Sequence, residues 1–235
     1  MVKVMEEMMK LFETRTFTQE NGESLPYRLM KPQLSNPNGR YPVLLFLHGS
    51  GGNGSNNIEN MTDTKTTQLF ASESFRNKHP AYIIVPHCPI NHSWSKNIRR
   101  SNFPEIKHLV LKILKLVCEE FNVDLNRIYI TGLSRGGFGT LGMVVAQPET
   151  FAAAAPVCGG WDPADAEKIA GVPSWFFHGD ADNVVKTDFS RNMVSALEAI
   201  NAPVKYTEYN GVGHNCWDRA YGTNEFWDWL FSQKK

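Results

Sequence analysis

The sequence predicts an α/β fold: a mostly parallel central sheet with helices on both faces and an antiparallel hairpin at its N-terminal edge. Three observations predict it. After residue 41, short apolar runs alternate with longer patterns of helical period, as in a parallel sheet whose crossovers are helices. The run at 41–47, Tyr-Pro-Val-Leu-Leu-Phe-Leu, is continuously apolar, as a strand buried on both faces should be. Upstream, two extended segments flank Asn21-Gly22, a strong hairpin turn pair.

In chain order, residues 14–19 and 25–30 form the hairpin, and the turn-rich stretch 32–39 leads to the strand at 41–47. Similar strand runs recur at 81–85, 127–130, 151–157, 174–177 and 204–209. The helical pattern at 104–121 carries Ile106, Leu109, Val110, Ile113, Leu114, Val117 and Phe121 as one apolar stripe. Pro104 suits its first position, where a missing N–H costs nothing. Helices at 136–146, 188–200 and 224–231 complete the set. No repeat or low-complexity linker interrupts the pattern, so 1–235 reads as a single domain. Only 158–171 separates the strand ending near Val157 from the next. That leaves room for a loop and one short helix, so no large lid is expected and the site should be shallow and open.

A chain of 235 residues is long enough to bury a large core. Its 24 basic side chains balance 24 acidic ones, which argues against nucleic acid or an anionic membrane as partner. No apolar run approaches the length of a transmembrane helix. Residues 1–12 mix Met with Glu and Lys and lack the apolar core of a signal peptide. Cys88, Cys118, Cys158 and Cys216 are widely spread with no C-x-x-C pair, and read as buried reduced thiols. A cytoplasmic protein is expected, with secretion open if a leader has been removed.

The chemistry centres on Gly132-Leu133-Ser134-Arg135-Gly136. A β-branched run precedes it and a small-residue helical pattern follows, the sequence form of a nucleophile elbow. A serine on a sharp strand-to-helix turn needs neighbours without side chains, and it gains a helix N-terminus where developing negative charge is stabilised. A serine nucleophile also needs a base and an acid to orient that base, which follow it in the order acid, then histidine. Two histidines lie after Ser134: His178, which ends a strand, and His214, in the glycine-flanked loop Gly213-His214-Asn215. Chain order selects His214 as base. Asp182 is favoured as the acid, because it lies a few residues past a strand end where a loop can turn back. Asp180 reads better as a turn or capping carboxylate, and Asp162, after the strand at 151–157, is the remaining alternative.

The oxyanion hole requires two backbone N–H donors. Arg135, after the nucleophile, should supply one. The other should come from His48-Gly49-Ser50-Gly51-Gly52, with Ser50 first choice, Gly51 second, and His48 bracing the loop. The same loop matches Gly49-x-Gly51-x-x-Gly54, a dinucleotide fingerprint. The polar Ser55-Asn56-Asn57 follows in place of a helix, and the strand at 81–85 ends on Pro86-His87-Cys88 without an acid. That reading is rejected, and no cofactor or metal is called for.

Assembled, these residues resemble an α/β-hydrolase, in the branch of small carboxylesterases, feruloyl-esterase-like enzymes and predicted peptidases. The resemblance runs over nearly the whole chain: Leu25-Pro26-Tyr27-Arg28, the 41–49 run into His48-Gly49, Val85-Pro86-His87-Cys88-Pro89, the elbow, Pro156-Val157-Cys158-Gly159-Gly160, Phe177-His178-Gly179-Asp180-Ala181-Asp182, and the block with Tyr206, Gly213-His214 and Trp217. It implies the same triad, Ser134, Asp182 and His214. Two positions depart from the family's habit: Arg135, often Met or Gln, and His87, commonly Gln. Both bear on substrate preference and not on the triad, since an oxyanion donor is a backbone group.

Trp94, Trp161 and Trp217 fall where strand-end loops should converge, and aromatic walls beside a serine suit aryl or sugar-linked acyl groups. The alternative is that each packs its own loop. Arg99, Arg100 and Arg135 are candidates to meet a carboxylate or phenolic oxygen. The expected activity is hydrolysis of short-chain or aryl and cinnamoyl esters, small or borne on polysaccharide. A serine peptidase for small peptides and a non-catalytic binding module are the alternatives.

Overall fold

A computed structural model describes residues 2–33, 36, 38–96 and 102–235. Arg99 and Arg100 lie outside the described residues. A short helix, α1 (Val2–Lys10), precedes the hairpin of β1 (Phe12–Thr18) and β2 (Ser24–Met30), followed by β3 (Tyr41–Leu47). Three short helices, α2 (Glu59–Thr62), α3 (Thr66–Ala71) and α4 (Glu73–Lys78), cross to β4 (Tyr82–Pro86). Then come α5 (Lys107–Glu120), β5 (Val123–Leu133), α6 (Arg135–Ala146), β6 (Ala153–Val157) and α7 (Ala166–Ile169). The chain ends with β7 (Ser174–Gly179), α8 (Asp188–Ala199), β8 (Val204–Tyr209), α9 (Trp217–Tyr221) and α10 (Asn224–Ser232).

The strands form one eight-stranded sheet in the order β1-β2-β4-β3-β5-β6-β7-β8. β2 pairs antiparallel with both β1 and β4, and every pairing from β4 to β8 is parallel. The period-two alternation of β3 divides the core: Val43, Leu45 and Leu47 enter the layer under α5, α6 and α8, while Leu44 and Phe46 enter the layer under α1, α3, α4 and α10. Within the second layer Phe70 packs edge-on against Phe46 and Trp227, at 5.3 and 5.4 Å between centroids. Among the described residues no helix is long and apolar enough to cross a membrane.

Two features differ from expectation. Helix α5 begins at Lys107, so Pro104 is not its first residue. Ser93 N–H donates to Pro104 O at 2.9 Å and Ile106 N–H donates to Ser93 O at 2.9 Å, and this bridge holds 104–105 extended. Helices α1 to α4 and α9 were not expected. Helix α1 is a single short stripe that packs Met5, Met8 and Met9 onto the second layer; α2 to α4 carry no continuous apolar stripe, and α3 and α4 dock through single aromatic anchors, Phe70 and Phe75, on Trp227. The segment 158–171 holds a short 3-10 turn and α7, and no large lid.

Candidate active site

Parallel strands place all their C-terminal ends on one side, and the candidate residues gather there, as ligand sites do in open α/β sheets. Ser134 follows β5, Asp182 lies three residues past β7, and His214 lies five past β8. Ser134 is the hinge between strand and helix. Its backbone sits at φ 53°, ψ −116°, a strained region for a residue with a side chain. Its N–H is held by Val157 O at 2.9 Å and faces Cys158 Sγ at 3.2 Å. The elbow closes because main chain meets main chain: a Cβ on Gly136 would lie 2.0 Å from Leu47 O, and one on Gly137 would lie 2.5 Å from Val157 O.

His214 Nε2 is 2.8 Å from Ser134 Oγ, and His214 Nδ1 is 2.7 Å from Asp182 Oδ2. The other carboxylate oxygen, Oδ1, accepts from Val184 N–H and Val185 N–H at 2.8 Å each. With the carboxylate as acceptor, His214 carries its proton on Nδ1 and turns a free lone pair on Nε2 toward the serine hydroxyl. Burial works to raise the Asp182 pKa, but the donors of His214, Val185 and Val184 outweigh it and hold the group below the ordinary carboxylate value. Those donors favour the ionised carboxylate as the acceptor for His214. Asp180 ties the two loops together by accepting from Gly211 N–H at 2.7 Å. Asp162 caps the turn after it by accepting from Ala164 N–H at 3.0 Å, away from His214.

The loop after β3 forms a tight turn, Ser50–Gly52. Gly49 N–H is engaged by Asp63 Oδ2 at 2.8 Å, so the next backbone donors along it are those of Ser50 and Gly51. Arg135 opens α6, and the first N–H groups of a helix have no partner within it. His48 is fully buried beneath this loop. Its Nε2 accepts from Cys88 N–H at 3.1 Å, so its Nδ1 bears the proton and donates to Gly49 O at 2.6 Å. Burial pushes its pKa down to about 3, a neutral bracing ring and not a base.

The three tryptophans part company. Trp94 is completely buried, donates Nε1–H to His48 O at 3.0 Å and packs edge-on against the His48 ring. Trp161 is 8% exposed and donates to Asp165 Oδ2 at 2.8 Å. Neither presents a face to a substrate; both brace loops, because each indole is consumed by packing and by its own hydrogen bond. Trp217 is partly buried and stands edge-on to His214, 5.3 Å between centroids. It also walls a cavity of about 380 Å³ with Lys65, Leu69 and Tyr221. Arg135 reaches sideways, donating to His92 O at 3.0 Å and lying over the Phe103 ring.

All four cysteines are free thiols, three of them buried and Cys118 partly so. Cys158, Asp182 and His214 bring one potential metal-ligating atom each within 4.8 Å of one another. Those atoms are already committed to the serine N–H and to the acid–base pair. A residue that sequence reasoning passed over is His178, which is fully buried with its Nε2 3.2 Å from Asp182 Oδ2. Its place at a strand end four residues before the acid was the available signal.

A family model described as Phospholipase/Carboxylesterase matches residues 35–223. Carboxylesterase SOBER1 of Arabidopsis thaliana is 26% identical over 210 residues, spanning 78% of this chain and 88% of that one. A thermostable esterase of known structure superposes with a TM-score of 0.91 at 38% identity, covering 97% of this chain. This chain spans 64% of that esterase's length. A ferulic acid esterase structure superposes at TM-score 0.67 over 94% of this chain and 98% of that one, at 18% identity, a likeness of fold alone.

Proposed function

The chain belongs to the Phospholipase/Carboxylesterase family of α/β-hydrolases, and from that premise we propose that it hydrolyses carboxylic esters by acyl transfer through Ser134, His214 and Asp182. The observation that carries this reading is the unbroken hydrogen-bond chain from Ser134 Oγ through His214 to Asp182 at the head of α6. Ser134 Oγ attacks the ester carbonyl while His214 Nε2 takes its proton. The N–H groups of Arg135 and Ser50 receive the oxyanion, supported by the α6 N-terminus. His214 then protonates the departing alcohol. Water enters, gives a proton to His214, attacks the acyl carbonyl and releases the acid as the proton returns to Ser134. Asp182 keeps His214 in the required tautomer and balances its charge throughout.

The substrate reading is a short-chain or small aryl ester, free or carried on a polysaccharide. Trp217 supports the aryl part, since its ring stands edge-on against His214. The test compares p-nitrophenyl acetate with methyl ferulate for the wild type, Ser134→Ala and Trp217→Ala. Ser134→Ala should lose at least about a thousandfold in turnover of both esters, and retained activity overturns the esterase reading. Trp217→Ala should weaken ferulate selectively, and an equal effect on both esters removes the aryl reading.

A further inference from the structure

His178 is the next-to-last residue of β7 and has no exposed surface, and the acyl-transfer steps above do not use it. Its Nε2 lies 3.0 Å from Val185 O and 3.2 Å from Asp182 Oδ2, the same oxygen that accepts from His214. Both neighbours are acceptors only, so Nε2 carries a proton. On the far side, Nδ1 lies 2.7 Å from Ser190 Oγ, whose second neighbour is Gly159 O at 2.7 Å. The Ser190 hydroxyl donates to Gly159 O and turns its oxygen toward Nδ1. One imidazole thus joins the acid loop, α8 and the loop after β6.

Val185 is gripped twice, by His178 through its carbonyl and by Asp182 Oδ1 through its N–H. We infer that His178 is a positioning residue for the triad acid: its Nε2–H fixes Val185 and faces the Asp182 carboxylate, setting the carboxylate's orientation and the share of its negative charge that reaches His214. The inference rests on the esterase reading. The charged and titratable groups around this pair are Asp182 and His214 from the loops, Cys158 after β6, and Glu208, the register partner of His178 on β8, which Arg191 of α8 neutralises at 2.6 Å.

The sign follows from competition for one carboxylate. Without the His178 N–H, more of the Asp182 charge acts on His214, which holds its proton more tightly. The acid limb of kcat/KM, where the base must be neutral, then moves to higher pH.

The experiment measures pH profiles of kcat and kcat/KM on p-nitrophenyl acetate for the wild type, His178→Gln and His178→Asn, with Ser134→Ala as blank. Glutamine places an amide N–H at the position of Nε2, whereas asparagine reaches only the position of Nδ1. Glutamine should keep kcat within about threefold and leave the acid limb in place. Asparagine should lower kcat by roughly tenfold to a hundredfold, as for a misplaced catalytic group, with KM little changed and the acid limb displaced upward. A folded asparagine variant with wild-type kcat and limb overturns the inference, as does an equal kcat loss in both variants with the limb unmoved. If the asparagine variant does not fold, the glutamine variant decides: a wild-type profile supports the inference and a displaced limb overturns it. Failure of the esterase reading looks different, because Ser134→Ala would then be as active as the wild type.

Discussion

Replacing Gly179 with alanine should cripple turnover while leaving most of the fold intact. Gly179 ends β7, and a Cβ there would lie 2.1 Å from Val212 O and 2.6 Å from Gly213 O, one residue before His214. Ordinary van der Waals contact begins near 3.4 Å, so the His214 loop must retreat from β7 by roughly 1 Å. The hydrogen bond from His214 Nε2 to Ser134 Oγ, 2.8 Å long, would be lost at that displacement. A misplacement of about 1 Å costs on the order of a hundredfold, equivalent to about 2.7 kcal/mol of transition-state stabilisation. The crowding itself should cost about 1–3 kcal/mol of stability. The assay is kcat and KM on p-nitrophenyl acetate beside a urea unfolding curve, with Gly171→Ala as control because no atom lies within 4 Å of a Cβ there. A Gly179→Ala enzyme with kcat within about threefold of wild type would refute the claim that this strand end sets the position of His214.

Two further outcomes follow from the buried His48 and the Trp94 that braces it. His48 stays neutral in the folded protein down to about pH 3, against 6.5 for an ordinary imidazole. The unfolded chain therefore binds more protons between those values, and stability falls as pH drops through that window. Between pH 7 and pH 5 the His48 share is roughly 2 kcal/mol, so His48→Gln should lose less stability over that interval by urea titration, and an equal loss would disprove the assignment. Trp94→Phe removes the donor to His48 O and should cost about 1–3 kcal/mol by leaving a buried acceptor unpaired. It should leave the ratio of ferulate to acetate turnover unchanged, and a tenfold shift in that ratio would return Trp94 to the substrate.

What was legible in the sequence is what local chemistry dictates. The hairpin around Asn21-Gly22, the apolar strand at 41–47, the last strand at 204–209 and the elbow all have short-range physical causes, and each falls where it was expected within a few residues. Ser134, Asp182 and His214 could be nominated together because chain order and loop position restrict the choice of histidine to His214, and the structure brings the three side chains within hydrogen-bond reach. Harder to read were features decided across the fold. Pro104 looks like a helix start until Ser93 bridges to it. Trp94 and Trp161 look like site walls until packing on the elbow side of the sheet consumes them. His178 was set aside by chain order, and only the return of the 182–185 loop brings it to Asp182. The helices between β3 and β4 depend on aromatic partners supplied from α10, about 150 residues away.

The contacts at Gly136 and Gly137 carry a consequence for how Ser134 responds to heat. Side chains in a core hop between rotamers and loosen progressively as temperature rises, so a residue placed by them drifts before the protein melts. Ser134 is placed by carbonyls and α-carbons wedged between Leu47, Val157 and Gly159, atoms with no rotamers to sample. Its address is therefore written in the peptide backbone of three neighbouring strands, and it should last until those strands themselves separate.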